Sequence, residues 1–420
     1  MKITVLSTFD VWPAVDGGQT RYCSIWTKFS DKNEITILPY EFRNGQTERR
    51  YKLAPHVEVW LPRASEGDAR HFRHMMHVTG LWMQDALCIG DYTLSSDYLN
   101  ALRSQLADCD VLVASHPYLA AMAFPWAPAR VLKVYEAHNV EYDIKERYFS
   151  TGRASKNFMG RYLRQVEQAE RLAVQQADHV TAVSDADRER LAELYDVSTS
   201  KISVVPNGVN TARAPSLTPA ARQQLRAEMG LADQSVGVIV ASSYGPNVES
   251  YRRTRLMLKE AGFTGTILLV GAIGGAMQPD WPEVGFEERV FGFVAEELKV
   301  ALMECADFAP HFVFDGAGTN LKLLDYMGNG VAIIANKFGV RGTEGDDWYW
   351  PAEDAAGLGR ALADIAANPA AARARAERGR AVALATFDWA PIAARFEAGM
   401  RQGFPMPAAV AEKALQGVTG

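Results

Sequence analysis

The stretch HVTAVSDADRERLAELYDVSTSKISVVPNG, residues 179–208, carries the plan of the whole chain. His179–Val183 is a short, mostly apolar run of the kind that forms a buried strand. Ser184 then reads as a helix N-cap, and Asp185 and Asp187 supply the acidic first turn that complements a helix dipole. A helix-length segment follows, then a second β-branched run, Ile202–Val205, and the breaker Pro206-Asn207-Gly208. Parallel strands need a crossover to connect them, so strand, helix and strand in succession predict a parallel sheet.

The same alternation extends in both directions. Ile3–Leu6, Ile35–Leu38, Val111–Ala114 and Val131–Tyr135 are strand-like runs, most of them separated by helix-length segments. After the breaker the plan repeats with Val236–Ala241, Thr266–Val270, Val290–Phe291, Phe308–Pro310 and Val331–Ala335. Nearly all-apolar strands of this length belong to sheets covered on both faces. The fold class is therefore α/β with two doubly wound, Rossmann-like domains, 1–205 and 206–385. A C-terminal helix and tail, 386–420, can pack back toward the first domain. Residues 41–100 carry no pattern that assigns elements, and the last residues, about 404–420, are expected to fray.

Composition narrows the function. A chain of 420 residues is too long for one ordinary core. A net charge of −6 argues against nucleic acid as a partner. No apolar run approaches the roughly 20 residues that cross a bilayer, and the N-terminus lacks the pattern of a signal peptide. Cys23, Cys88, Cys109 and Cys305 have no metal or disulfide spacing and read as reduced thiols. The expected location is cytoplasmic, with contact at the inner face of a membrane as an added option.

Three constellations suit chemistry. Asp16-Gly17-Gly18 stands between the first strand and a helix, where glycine lets backbone amides approach an anion; an ordinary turn is the alternative. Asp315–Asp325 combines a Gly-rich turn, Lys322 one turn into a helix, and Asp325 on roughly the same face. A phosphate contact and a ribose-binding carboxylate fit it, and so does a capped helix with an ordinary ion pair. Glu136, His138, Asn139 and Glu141 cluster after Val131–Tyr135, at the strand end where open α/β sheets bind ligands. Asp185 and Asp187 fit a cap better than a metal motif, and His71, His74 and His77 splay too widely around a helix to share one ion.

VYEAHNVEYD (134–143), ADHVTAVSDADRERL (177–191), KISVVPNGVN (201–210), YGPNVES (244–250), FGFVAEEL (291–298) and GAGTNLKLLDYMGNGVAIIA (316–335) resemble, in order and spacing, the retaining GT-B glycosyltransferases of the GT4 group. The resemblance implies two Rossmann-like domains facing each other across a cleft, with the nucleotide-sugar donor held mainly by the second and the acceptor by the first. It implies that Gly17 and Gly18 face the diphosphate, that His138 reaches the donor sugar, and that Phe293 and Val294 meet the base through backbone groups. Gly318, Thr319 and Asn320 would offer amides, Lys322 would neutralise the diphosphate, Asp325 would hold ribose, and Asn247 would lie close to the donor. His138 and Lys322 are the implied catalytic pair.

The match has departures. Many relatives carry Glu at the ribose position and a second Glu eight residues earlier, where this chain has Asp325 and Ala317. The frequent Arg and Lys pair near the first strand of the second domain has no counterpart around Ser242–Val248, which leaves Arg252 or Arg253 as candidates to help Lys322. The implied reaction is a retaining, metal-independent hexosyl transfer to a glycan or a lipid-linked glycan, as in polysaccharide biosynthesis. The nucleotide sugar is a substrate, and no cofactor or metal is expected. A nucleotide-sugar 2-epimerase of the same architecture and a non-catalytic sugar-binding protein are the rival readings. Residues 145–171, with Lys145, Arg147, Arg153, Lys156, Arg161, Arg164 and Arg171 beside Tyr148, Phe149 and Phe158, suggest a peripheral membrane contact. The alternative there is a surface helix packed on its own core.

Overall fold

The computed structural model describes residues 1–14, 16–41, 47–89, 95–209, 217–314, 321–343 and 345–402. Two compact units divide the chain, Met1–Pro206 with Ala390–Gly420, and Asn207–Trp389.

The first unit runs β1 (Lys2–Ser7), α1 (Gly17–Trp26), β2 (Glu34–Pro39), β3 (Arg49–Ala54), β4 (Val57–Leu61), α2 (Glu66–Thr79), α3 (Ser96–Leu106), β5 (Val111–Ser115), α4 (Ala120–Trp126), β6 (Leu132–Glu136), α5 (Glu141–Ser150), α6 (Lys156–Gln176), β7 (His179–Ala182), α7 (Asp185–Tyr195) and β8 (Ile202–Val204). The strands form one sheet in the order β3-β4-β2-β1-β5-β6-β7-β8. Every pairing is parallel except β3 with β4. The five residues of β5 are all buried, as a strand covered on both faces requires.

Strands β3 and β4 lie in the segment whose sequence pattern assigned nothing. The edge strand β3, RRYKLA, is half-exposed and charged, so it lacks the apolar signature of the central strands. Ser184 caps α7 by accepting from the Asp187 amide at 3.1 Å.

The second unit contains α8 (Pro219–Glu228), β9 (Val236–Val240), α9 (Gly245–Glu260), β10 (Thr266–Val270), β11 (Glu287–Gly292), α10 (Glu296–Cys305), β12 (Ala309–His311), α11 (Leu321–Gly328), β13 (Ile333–Ala335), β14 (Trp350–Pro351), α12 (Ala355–Ala367) and α13 (Pro369–Thr386). Two parallel sheets, β11-β10-β9 and β12-β13-β14, meet where Gly237 of β9 bridges Phe308 just before β12. Side by side they give the doubly wound order, with the reversal between β9 and β12. A Cβ on Gly237 would come within 2.5 Å of the Ile267 side chain and 2.8 Å of Phe308, so the junction needs glycine.

Helix α14 (Trp389–Gln402) follows α13, and from Ala390 it belongs to the first unit. Phe396 packs on Trp26 and Phe29, and Glu397 accepts from the Ser30 amide at 2.7 Å and from Asn33 at 2.9 Å. Among the described residues no helix is long and apolar enough to cross a membrane.

Candidate active site

Strand β1 lies between β2 and β5, so the first unit's strand order reverses there. Ligands of open α/β sheets bind beyond the carboxyl ends of the strands at such a point. Phe9 follows β1 at this end, His116 follows β5, and Glu136 and His138 close β6.

Glu136 is fully buried and doubly held. Arg21 Nε lies 2.9 Å from its Oε1, and the Ser115 hydroxyl donates to its Oε2. Burial opposes the charge, but Arg21, then His138 and the hydroxyl of Ser115, outweigh it and hold the carboxyl well below the usual range. Arg21 also donates to the carbonyls of Val205 and Pro206, both at 3.1 Å, tying α1 to the end of β8.

His138 sits against this carboxylate without bonding to it. Its Nε2 is 3.6 Å from Glu136 Oε1, beyond hydrogen-bond reach. The residue is only 7% exposed, yet neither ring nitrogen has a hydrogen-bond partner among the described residues. Burial, and then the neighbouring His116, pushes the imidazole down to about 4, so it is neutral at neutral pH. A neutral imidazole offers one donor and one acceptor, the complement of a hydroxyl group.

His116 completes the cluster. Its ring centroid is 4.4 Å from that of His138, and Phe9 meets it edge-on at 5.6 Å. Its backbone is left-handed, with φ 78°, a conformation that costs a non-glycine residue about 1–3 kcal/mol and gathers at functional sites. Its Nε2 is 4.0 Å from Glu141 Oε1, and the Tyr118 hydroxyl donates to the same carboxyl group. Glu170 of α6 accepts from the amides of Glu141 and Tyr142 at 2.9 and 3.0 Å, so it caps α5 from another helix. Burial, and then Glu141, pushes Glu170 up to about 7.

Gly17 and Gly18 open α1. The Asp16 carboxylate caps the helix through the Gln19 amide at 2.9 Å. A Cβ on Gly18 would lie 3.3 Å from Phe9 Cζ, so this glycine leaves room for the ring that walls His116.

The second unit gathers its polar groups at its own reversal. Asn247 stands at the start of α9 after β9, and Lys322 at the start of α11 beyond β12. Lys322 Nζ donates to Asn247 Oδ1 at 2.6 Å, and Asn247 Nδ2 donates to Ser242 Oγ at 2.9 Å. Burial, then Arg341, lowers the lysine to about 8. Asp325 takes its cation from another helix, Lys299 of α10 at 3.4 Å, and Lys299 also pairs with Glu296 at 2.9 Å. Burial raises the Asp325 carboxyl, against the pull of Lys299. Phe293 is 66% exposed just after β11, and Val294 packs partly against the core. Gly318, Thr319 and Asn320 lie outside the described residues, as does Ala317.

Other residues singled out in the sequence have partners within their own unit. Arg252 and Arg253 both pair with Glu249 of their own helix, at 2.8 and 2.7 Å, and Arg253 covers the Phe314 ring. Within 145–171, Lys145 is buried against Asp85, and Phe149 is buried. Val166 and Ala169 of α6 are buried, and Phe158 and Tyr162 pack against the first unit's core. The apolar side of α6 is therefore covered by its own unit, while Arg153, Lys156, Arg161 and Arg164 stay exposed.

Arg21, His116 and Lys299 escaped the sequence reading. His116 carried a usable signal, since it directly follows the run Val111–Ser115. The partners of Arg21 lie 115 and 184 residues or more away, and no local pattern points to them.

Comparison with known proteins adds an independent line. Residues 52–213 match the family described as Glycosyltransferase Family 4. A glycogen synthase of Mycobacterium tuberculosis is 28% identical over 262 residues, which is 58% of this chain and 58% of that protein. The matched region thus spans little more than half the length of the curated relative. Among solved structures, Anabaena Alr3699/HepE in complex with UDP is 16% identical with a TM-score of 0.63, covering 96% of this chain and 100% of that one. Sucrose-phosphate synthase from Thermosynechococcus elongatus is 16% identical with a TM-score of 0.66, covering 96% and 98%. At these identities the structures establish the fold.

Proposed function

We propose that this chain, a GT-B-fold protein of the GT4 glycosyltransferase type, transfers a sugar from a nucleotide-sugar donor to a carbohydrate acceptor. The observation that carries the reading is His138. A buried neutral imidazole whose nitrogens have no hydrogen-bond partner among the described residues, at a switch point, is suited to meet a ligand's hydroxyls. Support also comes from the relatives: the Anabaena protein was solved with UDP and with UDP-glucose, and the mycobacterial relative is a glycogen synthase.

In this reading the second unit supplies the nucleotide-binding groups. Lys322 neutralises the diphosphate, with Asn247 orienting its ammonium group. Asp325 accepts from ribose hydroxyls and Lys299 holds its carboxylate in place. Gly318, Thr319 and Asn320 add amides, and the backbone around Phe293 and Val294 meets the base. As the sugar–phosphate bond breaks, negative charge grows on the leaving diphosphate. A fixed cation and amides stabilise that charge, and the reaction is proposed to proceed without a metal and with retention of configuration. The acceptor is proposed to be a glycan or lipid-linked glycan. The exposed Arg153, Lys156, Arg161 and Arg164 are suited to an anionic lipid surface.

Incubation of the purified protein with UDP-, GDP-, ADP- and dTDP-sugars, with and without chelator, tests the reading. Nucleoside diphosphate release that persists in chelator is the expected result; no release and no thermal stabilisation by any donor would overturn it. His138→Ala should lower turnover by about tenfold or more, the equivalent of one hydrogen bond of about 1.5 kcal/mol, with the fold retained by circular dichroism. Normal turnover in that variant would remove His138 from the site.

A further inference from the structure

Among the described residues, His116 is one of two non-glycine residues with a left-handed backbone; the other, Asp196, caps the end of α7. His116 caps nothing. Its amide donates to the Glu136 carbonyl at 3.3 Å, and its Nδ1 lies 2.8 Å from the Ser115 carbonyl. The second contact requires a proton on Nδ1, so Nε2 is the nitrogen left to accept. That nitrogen faces Glu141 Oε1 at 4.0 Å, too far for a direct bond. Phe9, Tyr118 and His138 surround the ring and fix its plane. Packing alone does not call for a left-handed histidine at a strand end.

We propose that His116 is a second sugar-binding residue, whose Nε2 accepts a hydroxyl proton from the same sugar ring that meets His138. His116 Nε2 and Glu141 Oε1 present two acceptors side by side, and His138 adds one donor and one acceptor. Adjacent ring hydroxyls, each able to donate and accept, complement such a set. The occupant is a neutral hexose ring, carried by the donor. This inference rests on the nucleotide-sugar reading above and deepens it.

The test is titration calorimetry of wild type and His116→Asn with UDP-glucose and with UDP. Asparagine tolerates the left-handed backbone, but its side chain is too short to reach the position of Nε2. The variant should lose about tenfold or more in affinity for UDP-glucose and keep its affinity for UDP within about twofold, since one charge-free hydrogen bond is at stake. Equal losses for both ligands, or no loss for either, would overturn the proposal. His116→Phe provides a second check that keeps the ring volume and removes both nitrogens. Tight binding of UDP-glucose by that variant would also overturn it. If the wild type binds neither the UDP pair nor the corresponding GDP, ADP and dTDP pairs, the nucleotide-sugar reading fails first. Wild-type binding with unaffected variants sinks the role of His116 alone.

Discussion

At the residue scale, burial tunes the ammonium group of Lys322. Removal from water, then the charge of Arg341, lowers the ammonium group to about 8. Its Nζ donates to the neutral Oδ1 of Asn247, and the proposed diphosphate would bring a full negative charge beside it. Lys322→Ala should therefore weaken UDP binding by about tenfold to a hundredfold, the worth of a charge-assisted hydrogen bond, and leave uridine binding nearly unchanged. The protonated form is the one that binds, so wild-type affinity for UDP should fall as pH rises through about 8. That slope should be missing from the variant, and calorimetry at two pH values decides it. A UDP affinity equal to that of the wild type would take Lys322 out of the phosphate site. Asp325 illustrates the opposite limit: the sequence offered Lys322 as its nearest cation, and folding supplied Lys299 from another helix.

At the element scale, Arg21 joins three pieces of the first unit. It projects from α1, pairs with Glu136 at the end of β6, and donates to Val205 and Pro206 after β8. Breaking a buried pair leaves an uncompensated charge, which typically costs about 3–5 kcal/mol, whereas replacing both partners by apolar groups is far milder. Arg21→Leu should lose about that much in urea unfolding, and the double variant Arg21→Leu with Glu136→Leu should recover most of it. A single variant as stable as wild type would mean that Glu136 is not charged in the fold. Helix α6 is an element whose apolar stripe, read alone, suits a membrane or a core equally well. Only the packing of Val166 and Ala169 inside the first unit distinguishes the two.

At the scale of the whole molecule, the buried titratable groups set how stability depends on pH. His138 is pushed from 6.5 down to about 4, and His179 and His311 from 6.5 down to about 3, in each case chiefly by burial. The unfolded chain binds these protons first, so their contribution is complete above 6.5 and is lost as pH falls toward 3. Glu170 is raised from 4.5 to about 7, so it works the other way and favours the folded state as pH falls from 7. Across the acid range the three histidines act against Glu170 and the raised Asp325. The thermal midpoint should fall steadily between pH 6.5 and pH 4, by several degrees. A midpoint that is flat or rises over that range would show that these histidines are protonated in the folded protein.

The sequence by itself determined the architecture and the strand ends that matter. Short apolar runs and helix-length gaps dictate a parallel doubly wound sheet, because only that arrangement buries such strands on both faces. The positions of His138, Lys322 and Asp325 on their elements were legible because each follows a recognisable strand or stands near a helix start, whereas Asn247 was singled out only through the resemblance. Strands β3 and β4 were not legible, since an exposed edge selects charge over apolar alternation. The tertiary structure alone decided which charges meet. Arg21 finds Glu136 across 115 residues, and His116 is turned against His138 by a left-handed backbone. Such pairings depend on distances between elements far apart in the chain, and those distances are fixed only when the sheet closes over its core.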